Sequence, residues 1–342
     1  MENCLIAVSA ATDDFFFSEK YIPTPVHVPA AFIHNGSYFP KLDHFRPQDT
    51  RTVTFHYRLN LDHYRFGGPI YIFVNGADET TTEWIEIEQA VADIATLVTT
   101  LYDHLGKDEP VPVILWGTGY GATLATFARK KFPHLITGVF ASSGTFRAEV
   151  FDTSYHDSLS GNLLRLGSLD CHSRVRNAFD VLLYLFENNQ GEYIRDRLRL
   201  CGIVDPDDTQ EVGLLFELFI DLISNYIRQQ QLFGITSFCR DMQYYPADNL
   251  NNLIRWAVYV HGYEFEDCLN TNYTQLIGRL ADTNWETSVY PRLRMYAYLR
   301  CTQIAAFRIT SDYDMTAFPS LLDAEYHFRF CEDIFGERFG SW

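Results

Sequence analysis

The residues best placed to do chemistry are Gly117-Thr118-Gly119-Tyr120-Gly121. They follow a short apolar run, Val113–Trp116, with the length and composition of a buried strand. They lead into a helix-like stretch in which Leu124, Phe127 and Ala128 recur on one face. Arg129, Lys130 and Lys131 stand where cations suit the C-terminal end of a helix dipole. A second apolar run, Ile136–Ala141, comes almost at once. Strand, tight turn, helix and strand imply a parallel sheet with the turn at the C-terminal edge of the first strand, where α/β folds gather their functional groups. Two chemistries use such a turn. One exposes a nucleophile at the apex for acyl transfer, as in G-x-S-x-G, with small flanking residues that let the backbone bend. The other cradles a phosphate, and Gly117, Gly119 and Ala122 satisfy a loose dinucleotide pattern, G-x-G-x-x-[GA]. The phosphate reading is the weaker, because the next strand ends in Ser142-Ser143-Gly144 with no acid to hold a ribose.

The elbow reading gains from a resemblance. Phe132-Pro133-His134-Leu135 leading to Gly138–Ser143 behind the glycine-rich turn resembles the prolyl carboxypeptidase and dipeptidyl peptidase family of serine exopeptidases. That family carries G-G-S-Y-x-G at the elbow. Matching on Tyr120 and Leu124 puts its nucleophilic serine on Gly119, which has no side chain with which to attack a carbonyl. Thr118 is a neighbour of the apex and no substitute. The resemblance extends from about Phe39 to Phe339. It includes Lys41-Leu42-Asp43-His44-Phe45, Gly67-Gly68-Pro69 before Ile70–Val74, Asn75-Gly76, and Glu88-Gln89-Ala90-Val91-Ala92-Asp93. Between Gly76 and Glu88 the relatives insert a helix, a strand and the phrase E-H-R-Y-Y-G. Here that insertion is missing, which implies loss of a strand from the middle of the sheet. The relatives' W-x-Y-Q-T-C-x-E maps onto Tyr296–Gln303, with Leu299, Arg300 and Gln303 replacing its glutamine, threonine and glutamate. The resemblance places the family's base and orienting acid beyond Trp342, so neither position is expected in this sequence.

The elements that must position the elbow follow from the patterning. Residues 1–38 show no sustained period, and Pro23, Pro25 and Pro29 make them an extended N-terminal tether. Residues 39–150 read as a partial α/β-hydrolase core. In it, alternation of Val53, Phe55 and Tyr57 predicts a half-buried strand, Ile70–Val74 a buried one, and Ile87–His104 a helix facing inward through Ala90, Val91, Ile94, Leu97, Val98 and Leu101. Residues 151–342 are mostly of helical period (Val175–Asn188, Val212–Gln229, Leu250–His261 and Pro319–Phe335) and resemble the family's helical cap. Val212–Ile227 is interrupted by Glu217 and Asp221 and reads as an amphipathic core helix. The fold class is therefore α/β: an incomplete α/β-hydrolase parallel sheet with a large helical cap domain.

Composition narrows the functional classes. A net charge of −17 repels phosphate backbones and anionic lipid, which argues against nucleic-acid or peripheral-membrane binding. No stretch approaches the roughly 20 apolar residues of a membrane span. Six of the seven cysteines (171, 201, 239, 268, 301 and 331) lie in the second half, an even set suited to disulfides in an oxidising compartment. Buried free thiols are the alternative. Two sequons, Asn35-Gly36-Ser37 and Asn272-Tyr273-Thr274, also fit the secretory pathway, as does the family's extracellular or lysosomal setting. Met1–Ala11 makes no convincing signal peptide, since Glu2 replaces the usual basic start.

Other constellations carry less. His44, His56, His63, His104, His134 and His327 read as structural histidines. Asp152, Asp157 and Asp170 read as solvated helix caps. Ser142 and Ser143 stand at a strand end, where the family has serines it does not use for attack. No H-E-x-x-H or paired C-x-x-C occurs, so no metal and no cofactor is expected. The resemblance implies release of residues next to proline through a serine. Gly119 makes this chain a homologue expected not to catalyse, with a degenerate elbow of Gly117, Gly119, Tyr120 and Gly121. Its partner would be a peptide or protein ligand. The alternatives are a truncated product without a role of its own, and an enzyme with an unrecognised constellation.

Overall fold

The computed structural model describes residues 4–7, 33–61, 68–74, 86–105, 111–229, 233–261, 268–284, 291–311 and 316–339. They fall into two compact units: Met1–Ala148 with Tyr290–Ala305, and Glu149–Val289 with Ala306–Trp342.

The first unit is built on a six-stranded sheet. Its strands are β1 (Cys4–Ala7), β2 (Ile33–Tyr38), β3 (Phe55–Asn60), β4 (Ile70–Val74), β5 (Val113–Thr118) and β6 (Gly138–Ser142), in the order β2-β3-β1-β4-β5-β6. β1, β4, β5 and β6 run parallel, and β3 pairs antiparallel with both β2 and β1. Helices α1 (Ile87–His104) and α2 (Tyr120–Lys131) share a core with one face of this sheet. Ile70, Ile72, Val74, Val113 and Leu115 alternate into that core with Val91, Leu97, Val98, Leu101, Ala125 and Ala128. On the other face Phe73, Trp116 and Phe140 stand level across three strands, edge to face, with centroids 5.6 and 6.0 Å apart.

Four expectations need correction here. First, the tether expected over 1–38 contains two strands, Cys4–Ala7 and Ile33–Tyr38, each hydrogen-bonded into the sheet; the three prolines lie outside the described residues. Second, β4 has a strand on both sides, because β1 lies between it and β3. The loss of a strand expected from the missing insertion leaves no break in the sheet among the described residues. Third, the strand expected from Val53 begins at Phe55 and runs on to Asn60. Val53 belongs to a tight return, where its amide donates to the Pro40 carbonyl and the Leu42 amide to the Arg51 carbonyl. Fourth, Tyr290–Ala305, read as cap, belongs to the first unit. Its helix α10 (Pro291–Leu299) and the π-turn Arg300–Ile304 place Met295, Leu299 and Ile304 in the sheet's core.

The second unit is helical. Its longer elements are α4 (Leu169–Glu187), α6 (Thr209–Gln229), α8 (Asn249–His261) and α11 (Ala324–Phe335). Shorter ones are α3 (Ser154–Asn162), α5 (Gly191–Leu198), α7 (Gly234–Asp241) and α9 (Tyr273–Ala281). α4 starts at Ser168, whose hydroxyl accepts the Cys171 amide at 3.0 Å. It buries Val175, Phe179, Leu182 and Phe186 against Phe216 of α6, Trp256 of α8 and Phe318. α6 is more deeply placed than an amphipathic helix, being buried at nearly every position from Val212 to Ser224. Its two acids are paired inside: Glu217 accepts the Tyr326 hydroxyl at 2.8 Å, and Asp221 pairs with Arg308 at 3.2 Å. Disulfides Cys171–Cys239 and Cys201–Cys268 close long segments, and Cys301 and Cys331 are also in disulfide form, so all six late cysteines are oxidised. No helix among the described residues is long and apolar enough to cross a membrane.

Candidate functional site

The strand, turn and helix read from the sequence are present, and their junction is sharp. β5 ends at Thr118, Gly119 takes φ 54° and ψ −127°, and α2 begins at Tyr120. In that backbone region a residue with a side chain is strained, as the serine of a nucleophile elbow is, and glycine is not. Gly117 is needed for a different reason. A Cβ built on it would stand 2.4 Å from the carbonyl carbon and oxygen of Gly121 and 2.6 Å from the Ala122 nitrogen. The end of the strand therefore lies directly against the first turn of the helix, backbone to backbone.

The turn is held by its neighbour strand. The Gly119 amide donates to the Ser142 carbonyl at 3.0 Å, and the Gly119 carbonyl accepts from the Ala122 amide at 3.1 Å. Thr123, fully buried, accepts the Thr145 amide at 2.9 Å and donates to the Thr145 carbonyl at 3.1 Å. Between these anchors Ser143 sits at φ 57°, a left-handed conformation that a serine adopts only when held there. These contacts count against the phosphate reading, since the Gly119 amide such a turn would offer is already donated to Ser142. Tyr120 is buried. Burial, reinforced by the Glu88 carboxylate, holds its phenol well above the ordinary tyrosine range, so the hydroxyl stays protonated. The amides of Tyr120 and Gly121, at the start of α2, have no intrahelical acceptor, so the turn offers donors without a nucleophile.

The two phrases read as separate signals meet in space. His44 Nε2 lies 2.7 Å from Asp93 Oδ1, the His44 amide donates to Gln89 Oε1 at 3.0 Å, and Gln89 Nε2 donates to Asp43 Oδ1 at 2.9 Å. Desolvation opposes ionisation of Asp43, but the Phe45 amide, Gln89 and Arg46 outweigh it and hold the carboxyl below the usual range. For Asp93 burial wins over the His44 bond, and its carboxyl is raised. This network fastens the Asp43–Arg46 turn to α1 and is structural. Gln303, one of the drifted positions, also has a use: its side-chain oxygen accepts the Ile87 amide that opens α1, at 2.7 Å.

The remaining candidates are scattered. His56 bonds Ser37 at 2.9 Å, His104 the Thr100 carbonyl at 2.8 Å and His327 the Arg308 carbonyl at 3.3 Å, while His134 meets the Phe132 ring edge-on. His63 lies outside the described residues. Asp152 accepts the Ser154 amide at 2.9 Å at the start of α3 and Asp157 accepts the Ser311 hydroxyl at 2.8 Å. Asp170 pairs with Arg174 at 2.8 Å, and the cap of its helix is Ser168. Ser142 and Ser143 have no histidine partner among the described residues. A serine–histidine bond does occur between Ser160 and His172 at 3.0 Å. Ser160 is only 3 % exposed, and its oxygen also accepts the Ala317 amide, so it too is structural. The roles of Thr123 and Thr145 were not readable beforehand, since threonines in a helix and a loop carry no positional signature.

A parallel sheet whose strand breaks through a glycine-flanked turn into a helix is the architecture of the α/β-hydrolase class. The chain belongs to the serine carboxypeptidase S28 family, whose sequence pattern matches residues 77–341. It is 25 % identical to the thymus-specific serine protease of Mus musculus, over 81 % of this chain and 56 % of that protein. The Homo sapiens thymus-specific serine protease gives the same identity and coverage. The lysosomal Pro-X carboxypeptidase of Homo sapiens is 24 % identical over 51 % of this chain and 37 % of its own length. The chain spans about half the length of the thymus-specific relatives it matches.

Proposed function

We propose that this chain is a homologue of post-proline serine exopeptidases that has kept the elbow and lost the acyl-transfer step made there, and that it binds a peptide or protein ligand without cleaving it. One observation carries this reading. The apex of the turn is Gly119, held at φ 54° and ψ −127° with no side chain, while the strand, the helix and the bracing loop around it are intact. Acyl transfer by this family's route needs an oxygen at that apex and a base to take its proton. The disulfides and the lysosomal naming of one relative support a setting in the secretory pathway.

Incubation of the purified chain with a serine-directed fluorophosphonate, followed by intact-mass measurement, is expected to leave the mass unchanged. A proline-containing chromogenic peptide is expected to hydrolyse at the buffer rate. A stoichiometric adduct on one side chain, or turnover that the adduct abolishes, would overturn the reading.

A further inference from the structure

The sequon Asn272-Tyr273-Thr274 opens α9, and the fold sorts its three side chains. Tyr273 turns inward: it is buried, and its hydroxyl donates to Asp333 of α11 at 2.9 Å. Asn272 and Thr274, on either side of it, are exposed. The segment leading to them is fixed. Cys268 is bonded to Cys201, the Leu269 amide donates to the Arg199 carbonyl at 2.7 Å, and the Leu269 carbonyl accepts the Cys201 amide at 2.9 Å. The other sequon, Asn35-Gly36-Ser37, lies inside β2, with its Ser37 hydroxyl bonded to His56.

At Asn272 every polar atom but one is in use. Its amide donates to Asn270 Oδ1 at 3.0 Å, its carbonyl accepts the Leu276 amide at 3.1 Å, and its side chain accepts the Gln275 amide at 2.7 Å. A backbone amide only donates, so the atom facing Gln275 is Oδ1 and the atom left over is Nδ2. Nδ2 makes no hydrogen bond among the described residues. A helix cap needs only the oxygen, which aspartate or serine would also supply. Asparagine adds a nitrogen, and the Thr274 hydroxyl two positions on completes the acceptor pattern for an oligosaccharide. We propose that Asn272 is an N-glycosylation site whose side chain divides its work: Oδ1 caps α9 and Nδ2 carries the glycan. The donor is a polyprenyl-diphosphate-linked oligosaccharide. A bond forms between Nδ2 and the anomeric carbon of the first sugar, and the bond from that carbon to the diphosphate oxygen breaks. Nδ2 gives up one proton and the polyprenyl diphosphate leaves. Oδ1 takes no part, so the cap and the glycan coexist. The inference rests on the secretory setting proposed above, where such transfer takes place.

Two measurements test it on the full chain, delivered into the secretory pathway of cultured animal cells. In the first, peptide N-glycosidase acts in heavy-oxygen water and peptide mapping follows. Asn272 is expected to be converted to an aspartate bearing the heavy oxygen, and Thr274→Ala is expected to abolish that label. An unmodified Asn272 in a chain whose Cys201 and Cys268 are oxidised would overturn the site and leave the secretory setting standing. An unmodified Asn272 with free thiols at both cysteines would overturn the setting on which it rests. The second measurement reads the cap. Asn272→Asp and Asn272→Ala both lack the glycan, but only the first keeps a side-chain acceptor for the Gln275 amide. Asn272→Ala is expected to melt a few degrees below Asn272→Asp, with Thr274→Ala close to the latter. Equal melting of the two Asn272 variants would overturn the divided role.

Discussion

The elbow and the helical unit are held together by different kinds of atom. Around Gly119 the contacts are largely backbone: the Gly119 amide on the Ser142 carbonyl, the Ala122 amide on the Gly119 carbonyl, and the close approach of Gly117 to Gly121. In the helical unit they are side chains, namely Glu217 on Tyr326, Asp221 on Arg308, Ser160 on His172, and two cystines whose halves stand 68 and 67 positions apart in sequence. The difference explains how a site can lose its reagent and keep its shape. None of the bonds fixing the elbow involves the side chain at 119, so a change there breaks no contact. Glycine is also the least strained occupant of that φ and ψ. A comparable change at Glu217 would remove the acceptor of the buried Tyr326 hydroxyl.

The contrast can be broken in three places. The largest effect is expected from removing Cys171–Cys239 with paired serine substitutions, which should cost the helical unit about 2–5 kcal/mol. Differential scanning calorimetry would show its transition falling while that of the sheet unit stays. If both fall together, the two units do not unfold separately. A middle effect is expected for Gly119→Ala, at about 1–3 kcal/mol from the conformation alone. Chemical denaturation followed through Trp116 should report it, and a neutral result would mean that the turn relaxes to another geometry. The smallest concerns pH. Burial holds the His156 imidazole below its ordinary value against the pull of the Ile309 carbonyl, Asp221 and Asp157. The unfolded chain therefore takes up the proton first as pH falls below about 6.5, and stability of the helical unit is lost with acidification through the native value. His156→Gln should flatten that dependence in a series of melting curves.

How much of this could be read from the residues depends on the range of the interactions. Ile70–Val74 and Ile87–His104 were legible to the residue, since a short apolar run and a 3.6-residue period are local signals. The elbow was legible for the same reason: strand, glycine-rich turn and helix follow one another within a few residues. Cys4–Ala7 was missed because nothing beside it in sequence marks it. Four residues become a strand through partners at 58–60 and 70–73. Tyr290–Ala305 was read with the cap because a segment's place along the chain gives no indication of which core it joins. The His44–Asp93 and Thr123–Thr145 contacts were likewise invisible, since each joins residues that carry no signature apart.

The position of β1 also sets a schedule for the nascent chain. β1 comes before its partners in the chain, and they end at Asn60 and Val74, so its pairing must wait until both have been made. Segments commonly settle in the order of synthesis, whereas this one depends on partners made later. Until it pairs, an apolar segment and the furrow it fits are both open to other chains, and a crowded translation site is where mispairing between copies would begin.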